Sequence, residues 1–386
     1  MATKFIEPGS ASTQDFNLWT ASLNNGGTIS SSSQAVLGSV RSIAAAVTGT
    51  LQGPYVYQIG ILADAGRRAS FGFRFTGTLN DSIGADLIDI TNSSGNPLFD
   101  LCLTSAGKIN LINGDTGATY TLGSAVLVAN TDYRISIVYT ITSTTVNTIT
   151  VRVYDSSDRL LDTISATNVT LPRTGSDRLV LTQGVANGVN TNVTFYFAHI
   201  YVDDGTSGDP GNIRVTAKRP NANGTANELT TQIGSGGSGY GSGHSPQVNE
   251  RPASDSNGWS IVIVAAAKIE EYNSESVSQG DVDISYGKII DFAGWVRAKA
   301  LASETGKIIV DNTQTDISLT STITVFTKIA GSTVYPAGTG TDIGIVTSTT
   351  ATTVSLYECG IIVAYISKLP AKIKQVNQAV KRAAYY

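Results

Sequence analysis

Charge is scarce in this chain: Asp, Glu, Lys and Arg make up 15% of its 386 residues, and the formal net charge is −4. Proteins that hold nucleic acid do so by neutralising phosphates with clustered Lys and Arg, so nucleic acid is not an expected partner. Cysteine is nearly absent. Cys102 and Cys359 lie far apart, each inside an apolar run (Leu98–Leu103 and Leu356–Ile366), whereas a disulfide scaffold needs more cysteines at closer spacing. Both are expected to be buried free thiols. The two histidines, His199 and His244, stand without an HExxH motif or paired cysteines, which leaves catalytic metal and triad chemistry without support. No window approaches the roughly 20 apolar residues of a membrane span, so no membrane insertion is expected. The opening MATKFIEPGS breaks at Pro8 and Gly9, and no secretory leader is expected there.

What is present is strand and turn material. Hydrophobic residues reach 41%, rich in Val, Ile and Ala, and 39 glycines punctuate them, a composition that favours an all-β fold. Residues 1–14 are polar and broken and read as an N-terminal arm. From Asp15 to Gly205 the chain is a series of short β segments, among them Tyr55–Leu62, Ser70–Phe75, Asp86–Thr91, Leu98–Leu103 and Lys108–Ile112, the last closed by Asn113–Gly114–Asp115 as a hairpin turn. Tyr133–Ile141, Thr148–Asp155, Arg159–Ser165, Arg178–Thr182 and Val193–Val202 follow. Tyr133, Ile135, Ile137 and Tyr139 alternate with Arg134, Ser136 and Val138, the pattern of a sheet with one face on a core. So many short strands require two packed antiparallel sheets, and a jelly-roll sandwich is expected over 15–205.

The stretch Phe195–Gly224 is a joint. Its strand runs into Asp203, Asp204 and Gly205, then Gly208, Asp209, Pro210 and Gly211, turn formers that make 206–211 a linker. A second β domain is expected over 212–366. It contains the Gly/Ser segment 233–246, with almost nothing to bury and therefore read as a flexible loop, and apolar runs at Ile261–Val264, Lys288–Ala300, Lys307–Asp311, Ser321–Lys328 and Gly360–Ile366. After Pro370, Ile373, Val376, Ala379, Val380 and Ala383 recur at helical spacing between Lys372, Lys374, Lys381 and Arg382. Residues 367–386 therefore read as a basic amphipathic C-terminal helix. That helix has three open uses: docking on its own domain, bundling about a symmetry axis, or anchoring to an acidic surface.

Several segments together resemble a known family. A strand through Gly38–Ser39, the aromatic pair of FGFRF, the strands DYRISIVY and TVRVYD with an SSDR turn, and a last strand ending in VDD are similar to the laminin-G-like, concanavalin-type jelly roll. Continuation into GNIRVTAKRPNANG, with IDFAGWVRAKA and ECGIIVAYI further on, resembles virion proteins of tailed bacteriophages. The resemblance implies a structural, non-enzymatic protein displayed on a phage particle, as capsid decoration or fibre, with other virion proteins as partners. It also implies a homo-oligomer with three-fold symmetry as the first expectation, and localisation in the virion after synthesis in the host cytoplasm. The alternative is a tail or baseplate receptor-binding protein whose jelly roll binds host-surface glycan; a carbohydrate-active enzyme is a third reading.

Site residues are weighed against that background. Glycosidases on a concanavalin-type fold align carboxyls along one strand, but no glutamate lies between Glu7 and Glu228. Asp81, Asp115, Asp155, Asp158 and Asp177 fall at turns. Asp86, Asp89 and Asp100 sit singly on strands, and the odd spacing of Asp86 and Asp89 places them on opposite faces of a regular strand. No catalytic, cofactor or metal residue is therefore assigned. Asp203, Asp204 and Asp209 admit a calcium reading or a turn reading. Aromatics (Trp19, Trp259, Trp295 and sixteen tyrosines) are the clearest clue to glycan stacking, although alternation sends Tyr133 and Tyr139 to a packed face.

Overall fold

In the computed structural model of the chain, the residues described are 2–7, 19, 21–23, 27–39, 41–49, 53–79, 84–182, 191–233, 258–262, 267–279, 283–285, 287–335, 340–348 and 352–367. Among them there are strands and turns but no α-helix. The readings of 233–246 as a loop and 367–386 as a helix fall almost wholly outside the described residues. The chain divides into two compact units, Met1–Ile213 and Arg214–Tyr386.

The first unit holds β1 (Thr3–Glu7), β2 (Ala21–Leu23), β3 (Gly27–Ser32), β4 (Ser42–Gly49), β5 (Tyr55–Gln58), β6 (Arg67–Thr78), β7 (Ala85–Asn92) and β8 (Pro97–Leu103). It continues with β9 (Ile109–Asn113), β10 (Thr119–Leu122), β11 (Tyr133–Ile141), β12 (Asn147–Asp155), β13 (Leu160–Thr167), β14 (Ser176–Leu181) and β15 (Thr191–Asp203). One sheet runs β13-β12-β11-β6-β15-β4-β3, with β1 also paired to β15, and the other runs β10-β9-β8-β7-β14-β5-β2. Every pairing recorded in them is antiparallel. Residues of both sheets share one apolar core, so this unit is a concanavalin-like jelly-roll sandwich.

Its centre is aromatic. Phe71, Phe73 and Phe75 alternate inward from β6 and meet Phe195 and Phe197 of β15, with Phe73 5.9 and 5.8 Å from those two rings. Gly72 and Arg74 fill the intervening outward positions. The last strand does not alternate strictly, because Phe197 and Ile200 are an odd number of residues apart and both are core. A bulge between Ala198 and Tyr201 supplies the extra residue, and His199 takes it up at a φ of 55°. His199 is thus buried at an irregular point of a central strand, in a structural position.

The N-terminal arm is corrected in part. Thr3–Glu7 forms β1 against the end of β15, and Phe5 packs edge-on to Trp19 at 5.0 Å. Two apolar residues in a five-residue stretch are enough to seat it on an otherwise open strand end.

The second unit holds β16 (Ile213–Lys218), β17 (Pro220–Asn227), β18 (Thr231–Ile233), β19 (Gly258–Val262), β20 (Ile269–Ser274) and β21 (Gly287–Ala300). After these come β22 (Glu304–Val310), β23 (Thr313–Leu319), β24 (Thr324–Ile329), β25 (Asp342–Val346) and β26 (Thr353–Ser367). They make one sheet in the order β18-β19-β26-β21-β24, with β16 beside β26, and a second in the order β17-β20-β25-β22-β23. A separate core of Phe292, Val296, Ile308, Ile343, Leu356 and Ile361 among others lies between them. Gly294 lets the two sheets approach, since a Cβ there would meet Val310 Cγ2 at 2.3 Å.

Candidate functional site

The face of the seven-stranded sheet turned away from the jelly-roll core carries the unit's most unusual chemistry. Register across the sheet aligns Tyr57 with Val180, Val180 with Asp89, Asp89 with Asp100, Asp100 with Ile112, and Ile112 with Thr119. One row away, Asp86 pairs with Cys102 and Cys102 with Asn110. Phe99, Leu101 and Leu103 occupy the alternate positions of β8 and point into the core, which sends Asp100 and Cys102 the other way.

Asp86 and Asp89 share this face, contrary to the parity expected from their spacing. The reason is a bulge: Asp86 pairs with Cys102 but Ile88 already pairs with Leu101, so β7 carries one residue more than β8 over this interval. Leu87 is that residue, it enters the core, and the strand changes phase around it. Three carboxyls that read as isolated in sequence are brought to one surface.

Their environment is dry. Asp89 and Asp100 are 2% and 6% exposed, and the Oδ1 atom of each has no hydrogen-bond partner. Burial pushes both carboxyls well above the usual range; the charge of Asp86 pushes both in the same direction, and that of Asp100 adds to it at Asp89. The Cys102 thiol donates to Asp86 Oδ1 at 3.0 Å; burial first, then the neighbouring carboxylates, raise it well above an ordinary thiol. Cys102 therefore stays protonated and is no nucleophile.

Toward the β5 side the same face becomes aromatic and partly open. Tyr55 and Tyr57 project together from β5 with ring centroids 6.1 Å apart and planes 31° apart. The Arg178 guanidinium lies 5.0 Å over the Tyr57 ring, held there by its Nη2, which donates to the Ser93 carbonyl. All three side chains are half-buried. A flat apolar ledge with a cationic donor beside a carboxyl cluster is chemically suited to a ligand that has both C–H faces and hydroxyls.

The other residues singled out from sequence have structural uses. Asp203 accepts from Arg68 Nε at 3.0 Å and Nη2 at 2.8 Å, and also from Gly205 N. Asp209 accepts from Arg134 Nη1 at 2.9 Å and Nη2 at 2.8 Å. Asp204 accepts from the Ala2 amide at 2.6 Å and faces Lys4. Each of these carboxylates serves protein donors, which fits the turn reading of Asp203, Asp204 and Asp209, and among the described residues no group of His, Cys, Asp and Glu is arranged to hold a metal ion. Trp19, Tyr133 and Tyr139 are buried and Trp295 is half-buried. The side chain of Trp259 and the whole of His244 lie outside the described residues. Cys359 is a buried free thiol in the second core. Tyr55 and Tyr57 were within reach of sequence reasoning, since YVYQ places two tyrosines on one face of a strand; nothing local told that this face is the outer one.

The sequence matches no protein-family profile, and no curated protein matches it. Solved structures similar in fold include the PL-14 alginate lyase from Aplysia kurodai, at 12% identity over 53% of this chain and 99% of that one, with a TM-score of 0.40. The endo-β-1,4-glucuronan lyase from Trichoderma reesei is similar at 13% identity over 53% and 96% of the two chains, TM-score 0.39. Lectin II from Ulex europaeus is similar at 12% over 48% and 98%, TM-score 0.34. These are likenesses of fold. They correct one expectation nonetheless: with alginate and glucuronan lyases among the similar structures, the assignment of this chain as non-enzymatic does not stand.

Proposed function

We propose that the protein binds carbohydrate on the outer face of the seven-stranded sheet of its jelly roll. The observation that carries this reading is the half-exposed Tyr55–Tyr57 ledge with Arg178 braced over it. Tyrosine rings offer a flat apolar surface to the C–H face of a sugar, while their hydroxyls, the Arg178 donors and the half-buried Asp86 carboxylate serve its hydroxyl groups. The test is titration of the full chain against a panel of immobilised and soluble glycans, repeated with Tyr57→Ala. Removing the ring is expected to weaken binding at least about tenfold, which corresponds to about 1.4 kcal/mol, with no matching loss of melting temperature. Wild-type protein that bound no glycan, or a variant that bound as well as wild type, would remove the proposal.

A second reading puts the protein on the surface of a tailed-phage particle, as a symmetric, trimeric decoration, fibre or tail adhesin. It rests on the segments that resemble virion proteins, of which IDFAGWVRAKA and ECGIIVAYI form the paired strands β21 and β26 of the second unit. Purified particles analysed by mass spectrometry and cryo-electron microscopy are expected to contain the chain at defined, symmetric positions. Particles free of it would end this reading and leave the carbohydrate proposal standing.

A further inference from the structure

We infer that Asp89 and Asp100 hold one proton between them at neutral pH, so that the jelly roll is most stable in mild acid and loosens as the pair gives that proton up. The two residues are direct cross-strand partners on β7 and β8, a relation that brings Cβ atoms to about 4.5–5.5 Å and makes like charges repel. Both are buried, and each retains an Oδ1 that no described group serves. Two carboxylates so placed do not both ionise without a counter-ion. A proton held by one and accepted by the other removes the repulsion and gives an orphaned oxygen a partner.

Among the described residues, the groups that face the pair supply no such counter-ion. On β7 there is Asp86, a further acid, and on β8 the Cys102 thiol, which donates to Asp86. β9 contributes Asn110 and Ile112, β10 contributes Thr119, and β5 contributes Tyr57; Tyr120, which packs against the core, is reached by the Asp100 charge. Arg178 on β14 stands opposite Thr91, one row from Asp89, and is engaged by Ser93 and the Tyr57 ring. Among the described residues, the charges acting on the pair are carboxylates: Asp100 and Asp86 on Asp89, and Asp86 on Asp100.

The direction of the effect follows from proton linkage. A carboxyl of the unfolded chain titrates near about 3.9, and in the fold burial raises the pair well above that. Between the two values the folded state binds more protons than the unfolded one. Stability from this source is therefore complete below about pH 4 and is lost as pH rises through the folded value, by at most about tenfold in the unfolding constant per pH unit for one proton.

The experiment compares urea midpoints of the full-length protein and of Asp89→Asn/Asp100→Asn from pH 5 to pH 9, together with the infrared carboxyl band of wild type at neutral pH. The two amides keep the shape and remove both titrating groups, so the double variant is expected to lose the pH-dependent part of the decline and to exceed wild type at the alkaline end. Wild type is expected to show a protonated-carboxyl band at pH 7 that the double variant lacks. Parallel pH profiles of the two proteins would overturn the inference. So would the absence of that band from wild type, a result that stands even if the variant fails to fold.

Discussion

Arg134 shows how one side chain ties down the end of the jelly roll. It projects from β11 over the ring of its cross-strand partner Tyr154, 3.7 Å from the centroid. Its Nε donates to Asp158 at 2.7 Å, and its two terminal nitrogens grip Asp209. Asp158 adopts a φ of 65° in the turn after β12, so the guanidinium also braces a strained residue. Removing one member of a buried, bidentate pair costs about 3–5 kcal/mol, with the low end apt here because Asp209 is partly solvated. Arg134→Met is expected to show that loss in urea unfolding. The Asp209 carboxyl, partly desolvated but gripped by Arg134 and Tyr154, is held down at about 2. Its contribution is present above the unfolded value of about 3.9 and is lost as pH falls through about 2. Asp209→Asn should accordingly flatten the acid limb of the stability profile between pH 4 and pH 2 while leaving the alkaline limb unchanged. A variant with the acid limb of wild type would show that the pair contributes nothing.

Among elements, the decisive features are two bulges. Alternation in β11 and β12 is regular, and their inward residues Ile135, Ile137, Val151 and Val153 are core, as their pattern implies. In β7 and β15 one inserted residue moves every later side chain to the opposite face, and a period-two reading fails at that point. Leu87 is the insertion in β7. Its deletion is expected to leave a regular strand in which Asp86 still faces Cys102 and Ile88 still faces Leu101, with both carboxyls outward, at the cost of one buried leucine side chain, about 2–5 kcal/mol. A folded variant with a lowered melting temperature, read by circular dichroism and gel filtration, is the expected outcome; loss of the soluble folded protein would refute the phase argument. The hairpin at Asn113–Gly114–Asp115 was legible because its chemistry is local: the Asn113 side chain accepts from the Asp115 and Thr116 amides. The β23 strand was not, since TQTDISL leaves each of its first six positions at least partly exposed and offers no sustained apolar alternation.

For the whole molecule, composition and alternation suffice for an all-β chain with a jelly roll ahead of a second β-rich region, because sparse charge, abundant turn residues and repeated two-residue periods admit few other solutions. Each unit closes its own core, one aromatic and centred on Phe73, the other aliphatic around Phe292 and Ile361. The acidic face was hidden by distance along the chain. Asp86 and Asp100 are brought side by side by the pairing of β7 with β8, and Arg178 reaches Tyr57 by the pairing of β14 with β5. Strand identity is a matter of local side-chain preference and was carried by the sequence. Which residues of different strands share a face depends on register, on a single bulge and on the order of strands in a sheet. Those are settled by the packing of the whole core, and so only the tertiary structure decided them.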